Sequence, residues 1–209
     1  MPREGSSRNA SDWRDHCESV VMAAAAMTAV SEHARHEVPK IRSSPEFIRP
    51  LVATVQDGLA NYSRRGLAVA ARDRAAERLA ELECVALERL AALGGYLTHT
   101  DYRAGNVFLR VGEKPVIFDW DSASLGPPGA TLRFMARLPA SEQERVVDLY
   151  CAHLEAKGFR FHPADVMFAM RSAAVFHALA HAARFSAASD PVAERIFGWG
   201  LGNIEYLAT

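Results

Sequence analysis

The sequence predicts an α+β protein, mostly α-helical, with one small antiparallel β-hairpin. Three observations lead there. Apolar residues recur at helical spacing through most of the first 95 residues. Short β-branched and aromatic runs then take over between residues 96 and 118, and helical spacing resumes to the C-terminus. At 209 residues and 49% hydrophobic content the chain suits one domain with a real core. That domain is expected over 11–209, helical at 11–95, loop and hairpin at 96–126, and helical again at 127–209. Ahead of it, "MPREGSSRNA" at 1–10 is polar and reads as a disordered tail.

A first helix is expected to begin near Ser11 and to stop before Pro39, which cannot continue the hydrogen-bond ladder. Trp13, Cys17, Val20, Val21, Ala24 and Met27 form its apolar face. The run "VVMAAAAMTAV" within it resembles a signal-peptide core, but Glu4, Asp12, Asp15 and Glu18 interrupt the leader, so it reads as a buried amphipathic helix. A second helix starts at "SSPEF", with Ser44 as N-cap, Pro45 at the first helical position and Glu46 facing the positive end of the dipole. Phe47, Leu51, Val55, Leu59 and Tyr62 share a face, and Gly66 stops it. The third runs over roughly 67–93, its stripe being Leu79, Leu82, Ala86, Leu90 and Leu93, with Gly94 and Gly95 ending it.

"GYLTH", "VFLR" and "PVIFDW" are strand-like, and the turn "VGEKP" makes 107–110 and 116–118 a hairpin. After "LGPPG" the helices return. "SEQE" from Ser141 to Glu144 is a capping box for a helix ending at Gly158, another begins about Pro163, and Asp190 with Pro191 starts the last. Trp199 and Tyr206 read as packing residues of that terminal segment.

The bulk properties exclude several classes. A net charge of −1, from 24 basic and 25 acidic residues, gives no footprint for nucleic acid or an anionic membrane. No stretch approaches the ~18 uncharged apolar residues of a membrane span, so a cytoplasmic protein is expected. Cys17, Cys84 and Cys151 are odd in number and widely spaced, which argues against a disulfide framework and for reduced core thiols.

The polar residues of "LTHTDYRAGNVFLRVGEKPVIFDWDSA" need another explanation. "HTDYRAGN" has the form H-x-D-x-x-x-x-N, from His99 through Asp101 to Asn106, and Asp119 ends the second hairpin strand thirteen residues later. Antiparallel pairing brings the start of one strand beside the end of the other, so Asn106 and Asp119 are expected to be adjacent. An amide oxygen and a carboxylate are hard ligands suited to Mg²⁺. Asp101, on the preceding loop, is placed to accept a proton or orient a hydroxyl. Each residue alone is commonly a turn cap, and it is the joint spacing that points to chemistry. Asp121 reads as a turn cap.

This stretch resembles the catalytic core of the aminoglycoside phosphotransferase and choline kinase group, which shares its C-terminal lobe with protein kinases. The resemblance is strongest at 97–126 and extends over about 40–209. It implies a kinase-like C-lobe in which Asp101 engages the substrate hydroxyl, Asn106 and Asp119 hold Mg²⁺ on the phosphates of ATP or GTP, and His99 braces the loop. It places Arg103 where protein kinases have a lysine contacting the transferred group, a position for offsetting transition-state charge. The implied activity is phosphoryl transfer to a hydroxyl of a small molecule or peptide.

Relatives normally begin with a β-rich N-terminal lobe bearing a glycine-rich loop and a phosphate-gripping lysine. Here 96 helical-patterned residues precede the catalytic loop, the only lysines are Lys40, Lys114 and Lys157, and the one glycine cluster, "GWGLG" at 198–202, follows no strand. A partner protein, a homodimer or the N-terminal helices would therefore have to supply that lobe. Thr131 stands where relatives commonly carry an acid bracing the catalytic loop, so that brace is expected to be missing. His177 and His181, four apart with Arg184 beyond, read as groove-lining residues of a substrate pocket rather than metal ligands. Two other readings compete: a catalytically inactive pseudokinase scaffolding a biosynthetic pathway, and a metal-dependent hydrolase or lyase using the same acidic pocket.

Overall fold

The computed structural model describes residues 16–31, 69–108, 115–185 and 191–209, together with Ala53 and Asp57. Helix α1, Cys17–Ala29, buries Val20, Val21, Ala24, Ala25 and Met27. Its run of alanines lets it pack closely on α3, Ala140–Glu155, and the Thr28 hydroxyl lies 2.6 Å from that of Tyr150. Helix α2, Val69–Ala92, buries Leu79, Leu82, Ala86 and Leu90 as their 3- and 4-residue spacing dictates, while Leu93 packs half-buried just beyond it. The helix expected from Ser44 and the tail at 1–10 lie outside the described residues, although Ala53 and Asp57 are helical.

Four short strands follow: β1 (Tyr96–Thr98), β2 (Val107–Phe108), β3 (Val116–Ile117) and β4 (Ser124–Gly126). The predicted hairpin is the β2–β3 pair, with Val107 opposite Ile117 and Phe108 opposite Val116. A second antiparallel pair was not foreseen: β1 runs against β4, matching Tyr96 to Gly126 and Thr98 to Ser124. Ser124–Gly126 carries little β-propensity of its own, and it is β1 that makes it a strand.

The chain then forms a 3₁₀ helix, Ala130–Arg137, and α3. Helix α3 starts two residues earlier than the capping box implies. Pro139 is its N-cap, no side chain caps it, and Ser141 falls inside the first turn. Its end follows the prediction, because Gly158 takes a φ of +88° and both closing bonds form, Gly158 N–H to Glu155 and Phe159 N–H to Leu154. Helices α4, Pro163–Phe185, and α5, Pro191–Gly202, precede a terminal 3₁₀ turn, Ile204–Leu207.

Helix α4 is shared by two apolar cores. One joins it to α2 and the terminal turn through Leu79, Leu90, Phe176, Leu179 and Leu207. The other joins it to α1, α3 and the 3₁₀ helix, and includes Tyr102 from the loop between β1 and β2 and Val107 of β2. Within the glycine cluster of α5, Gly200 has a packing role: a Cβ there would fall 2.8 Å from a Leu179 methyl, so glycine lets α5 lie against α4. All three cysteines are free. Cys17 and Cys151 are half-buried, with burial raising both thiols' pKa values, whereas Cys84 is exposed and is not the core residue the sequence implied. Among the described residues no helix is long and apolar enough to cross a membrane.

Candidate active site

The loop between β1 and β2 is fastened from beneath. Tyr102 is 1% exposed, and its hydroxyl donates to the Val20 carbonyl of α1 at 2.7 Å, pinning the middle of the loop to the second core. His99 is equally buried. Its Nδ1 accepts from the Asp101 amide at 3.2 Å, so the remaining proton sits on Nε2, which donates to the Phe118 carbonyl at 2.7 Å. The imidazole thus ties the β1–β2 loop to the end of β3, with Trp120 packed edge-on against its ring at 4.9 Å.

That tie, together with the Phe118 amide bonding the Asn106 carbonyl at 3.0 Å, sets Asn106 beside Asp119. The Asn106 side-chain nitrogen faces three acceptors: the Asp101 carbonyl at 2.9 Å, Asp101 Oδ2 at 2.8 Å and Asp119 Oδ2 at 3.5 Å. Three acceptors fix the amide's orientation. Asp119 is exposed and adopts φ 61°, ψ 58°, the only non-glycine residue with positive φ among the described residues. The left-handed conformation is costly for an L-residue, although Asp tolerates it better than most, and here it ends β3 and turns the chain into the 3₁₀ turn Trp120–Ser122. Asp121 lies exposed in that turn.

Asp101 is the hub. Its side chain is 30% exposed, with Oδ2 held by Asn106 and by Arg103 Nε at 2.8 Å, and Oδ1 approached by Arg133 Nη2 at 3.5 Å. Arg103 stands on the open side, 55% exposed. Arg133 stands behind and is buried, its Nε donating to the Thr100 carbonyl at 2.6 Å. Burial pushes the Arg133 pKa down to about 9, with Asp101 acting in the opposite direction, so it remains a cation at neutral pH.

Arg133 was missed in the sequence because an arginine inside a helical-looking run reads as a solvated surface residue. The supposed gap at Thr131 is also filled, since its hydroxyl accepts from the His99 amide at 3.3 Å. The loop is therefore braced, contrary to expectation, by a threonine and an arginine rather than by an acid.

Of the residues expected to line a substrate pocket, His177 alone has a described side chain, and it is half-buried on α4. The side chains of His181 and Arg184 lie outside the described residues, and their neighbour Phe176 is core. Among the described residues no three His, Cys, Asp or Glu side chains gather as a metal cage. Any metal at the hairpin would have one carboxylate and one amide as its protein ligands, a hard-oxygen set that fits Mg²⁺ better than zinc.

The chain belongs to the phosphotransferase enzyme family, whose sequence model matches residues 5–188. The match takes in the whole β1–β4 region and the helices on both sides, in agreement with the resemblance to aminoglycoside phosphotransferases and choline kinases. No curated protein and no solved structure matches the chain.

Proposed function

We propose that the chain has the C-lobe architecture of a kinase and transfers the terminal phosphoryl group of ATP or GTP to a hydroxyl of a small molecule or peptide. The observation that carries this reading is the meeting of Asp101, Asn106 and Asp119 at one end of the β2–β3 hairpin, in a chain of the phosphotransferase family. Asn106 and Asp119 would hold Mg²⁺, which when bound neutralises nucleotide phosphate charge. Asp101 accepts the hydrogen bond of the acceptor hydroxyl, aims its oxygen and takes up its proton as the new O–P bond forms and the bond from the γ-phosphorus to the bridging β–γ oxygen breaks, releasing the nucleoside diphosphate. Arg103 leaves its ion pair with Asp101 when the acceptor arrives, and its exposed guanidinium offsets charge on the transferred group. A partner protein or a second copy of the chain would cover the nucleotide, and His177, His181 and Arg184 remain candidates for the acceptor pocket.

Calorimetric titration of Mg·ATP and Mg·GTP into the protein and into Asp119→Ala tests this. Magnesium-dependent binding that the substitution removes supports it, and absence of binding to either nucleotide, alone or in the presence of a candidate partner, sinks it. Two observations favour a second reading, a pseudokinase subunit that binds but does not transfer. Both Asp101 oxygens are already engaged by Arg103, Asn106 and Arg133, and the elements described ahead of Tyr96 are the helices Cys17–Ala29 and Val69–Ala92. Nucleotide binding without turnover toward any acceptor, water included, would select that reading.

A further inference from the structure

We infer that Arg133, assisted by Thr131, is a positioning residue that fixes the orientation of the Asp101 carboxylate from behind, in place of an acidic brace. The inference stands on geometry, and only its kinetic consequence rests on the phosphotransferase reading.

Three consecutive loop residues are gripped by one rigid element. Thr131 takes the His99 amide at 3.3 Å, and Arg133 Nε gives to the Thr100 carbonyl at 2.6 Å. Arg133 Nη2 then reaches Asp101 Oδ1 at 3.5 Å. The element that carries both side chains is itself locked, since Leu132, Met135 and Ala136 of the 3₁₀ helix belong to the core shared with α1, α3 and α4. Arg133 is held in turn, its guanidinium lying 4.0 Å over the Phe134 ring.

The chemistry calls for arginine. A planar fork can give one N–H to a carbonyl and another to a carboxylate, whereas a lysine ammonium is a single point that cannot hold both with the same geometry. On the other side of Asp101, Arg103 and Asn106 both act on Oδ2. Without Arg133 nothing described restrains Oδ1, the bond to the Thr100 carbonyl is lost, and the carboxylate can turn toward exposed Arg103. A small reorientation of a reacting group is enough to slow chemistry substantially while leaving nucleotide contacts intact.

The test compares wild type with Arg133→Met, which keeps length and packing, and with Arg133→Lys. Thr131→Val serves as a milder second variant should Arg133→Met fail to fold. Hydrogen exchange by mass spectrometry is read on the segment 98–106 against α3 and α4. Exchange of the segment in Arg133→Met is expected to rise about tenfold or more while the helices stay unchanged, with Arg133→Lys intermediate and Thr131→Val smaller. In parallel, Mg·ATP binding and its hydrolysis with water as acceptor are measured. Affinity is expected to hold within about threefold while the hydrolysis rate falls about 10- to 100-fold. Unchanged exchange at 98–106, or exchange that rises equally in the helices, overturns the inference. Equal loss of affinity and rate would also overturn it, by reducing Arg133 to a structural residue. If wild type neither binds nor hydrolyses nucleotide, the phosphotransferase reading fails while the exchange data still decide whether Arg133 anchors the loop.

Discussion

The two halves of the candidate site are built differently. The β1–β2 loop, bearing Asp101 and Asn106, is held by buried His99 and Tyr102, by Thr131 and by Arg133. The turn after β3, bearing Asp119, hangs on a two-residue ladder, the Phe118 amide bond to Asn106, one imidazole and one indole bond, with Phe118 and Trp120 exposed. The difference teaches how such a site divides its work. On the proposed function, the group that would meet an acceptor hydroxyl is pre-set by the core, while the carboxylate that would hold a metal sits at a lightly held rim and carries the one left-handed non-glycine backbone conformation among the described residues.

Substitutions that separate the halves sharpen this contrast. The largest effect is expected from Asp101→Asn, which should lower turnover by about a thousandfold while nucleotide affinity stays within about threefold, checked by product formation and calorimetry. Equal loss of both would mean that the halves are not functionally distinct. Asp119→Gly should do the reverse of a usual site substitution. It relieves the left-handed backbone, raising stability by about 0.5–1 kcal/mol in denaturant unfolding, and it removes magnesium-dependent nucleotide binding by about 10-fold or more. A variant that is destabilised instead would show that Asp119 is a turn cap.

His99→Ala cuts the tie between the halves. With the Phe118 carbonyl and Asp101 amide left unpaired and a cavity beneath Trp120, it should cost about 2–4 kcal/mol in equilibrium unfolding. Gly129→Ala probes the brace from a distance. It forces a side chain onto φ +93° and sets a Cβ 2.6 Å from the Val166 carbonyl, so a loss of about 1–3 kcal/mol is expected by the same assay.

How far these features could be read from the sequence depended on whether local pattern or tertiary context makes them. The stripe Leu79, Leu82, Ala86, Leu90 was legible because helical spacing alone puts those residues on one face. The proximity of Asn106 and Asp119 was legible because antiparallel strands of known register bring them together. Strand β4 was not, since Ser-Leu-Gly has no strand signal until Tyr96–Thr98 lies beside it. Nor was Arg133, whose partners Thr100 and Asp101 are more than thirty residues away in sequence, so no local periodicity distinguishes it from a surface arginine. Thr131 shows the converse, where the expected residue type was lacking and the hydrogen bond was made by another. The start of α3 moved from Ser141 to Pro139 because a capping-box pattern is only one of several ways to begin a helix.

The central claim is that Asn106 and Asp119 form the metal platform of a phosphotransferase. Paramagnetic broadening in the NMR spectrum tests it most directly, with Mn²⁺ as the magnesium substitute, added together with ATP. The account predicts broadening centred on Asn106, Phe118, Asp119 and Trp120, extending to Asp101 and absent in Asp119→Ala. Broadening centred elsewhere, or undiminished in that variant, would contradict it.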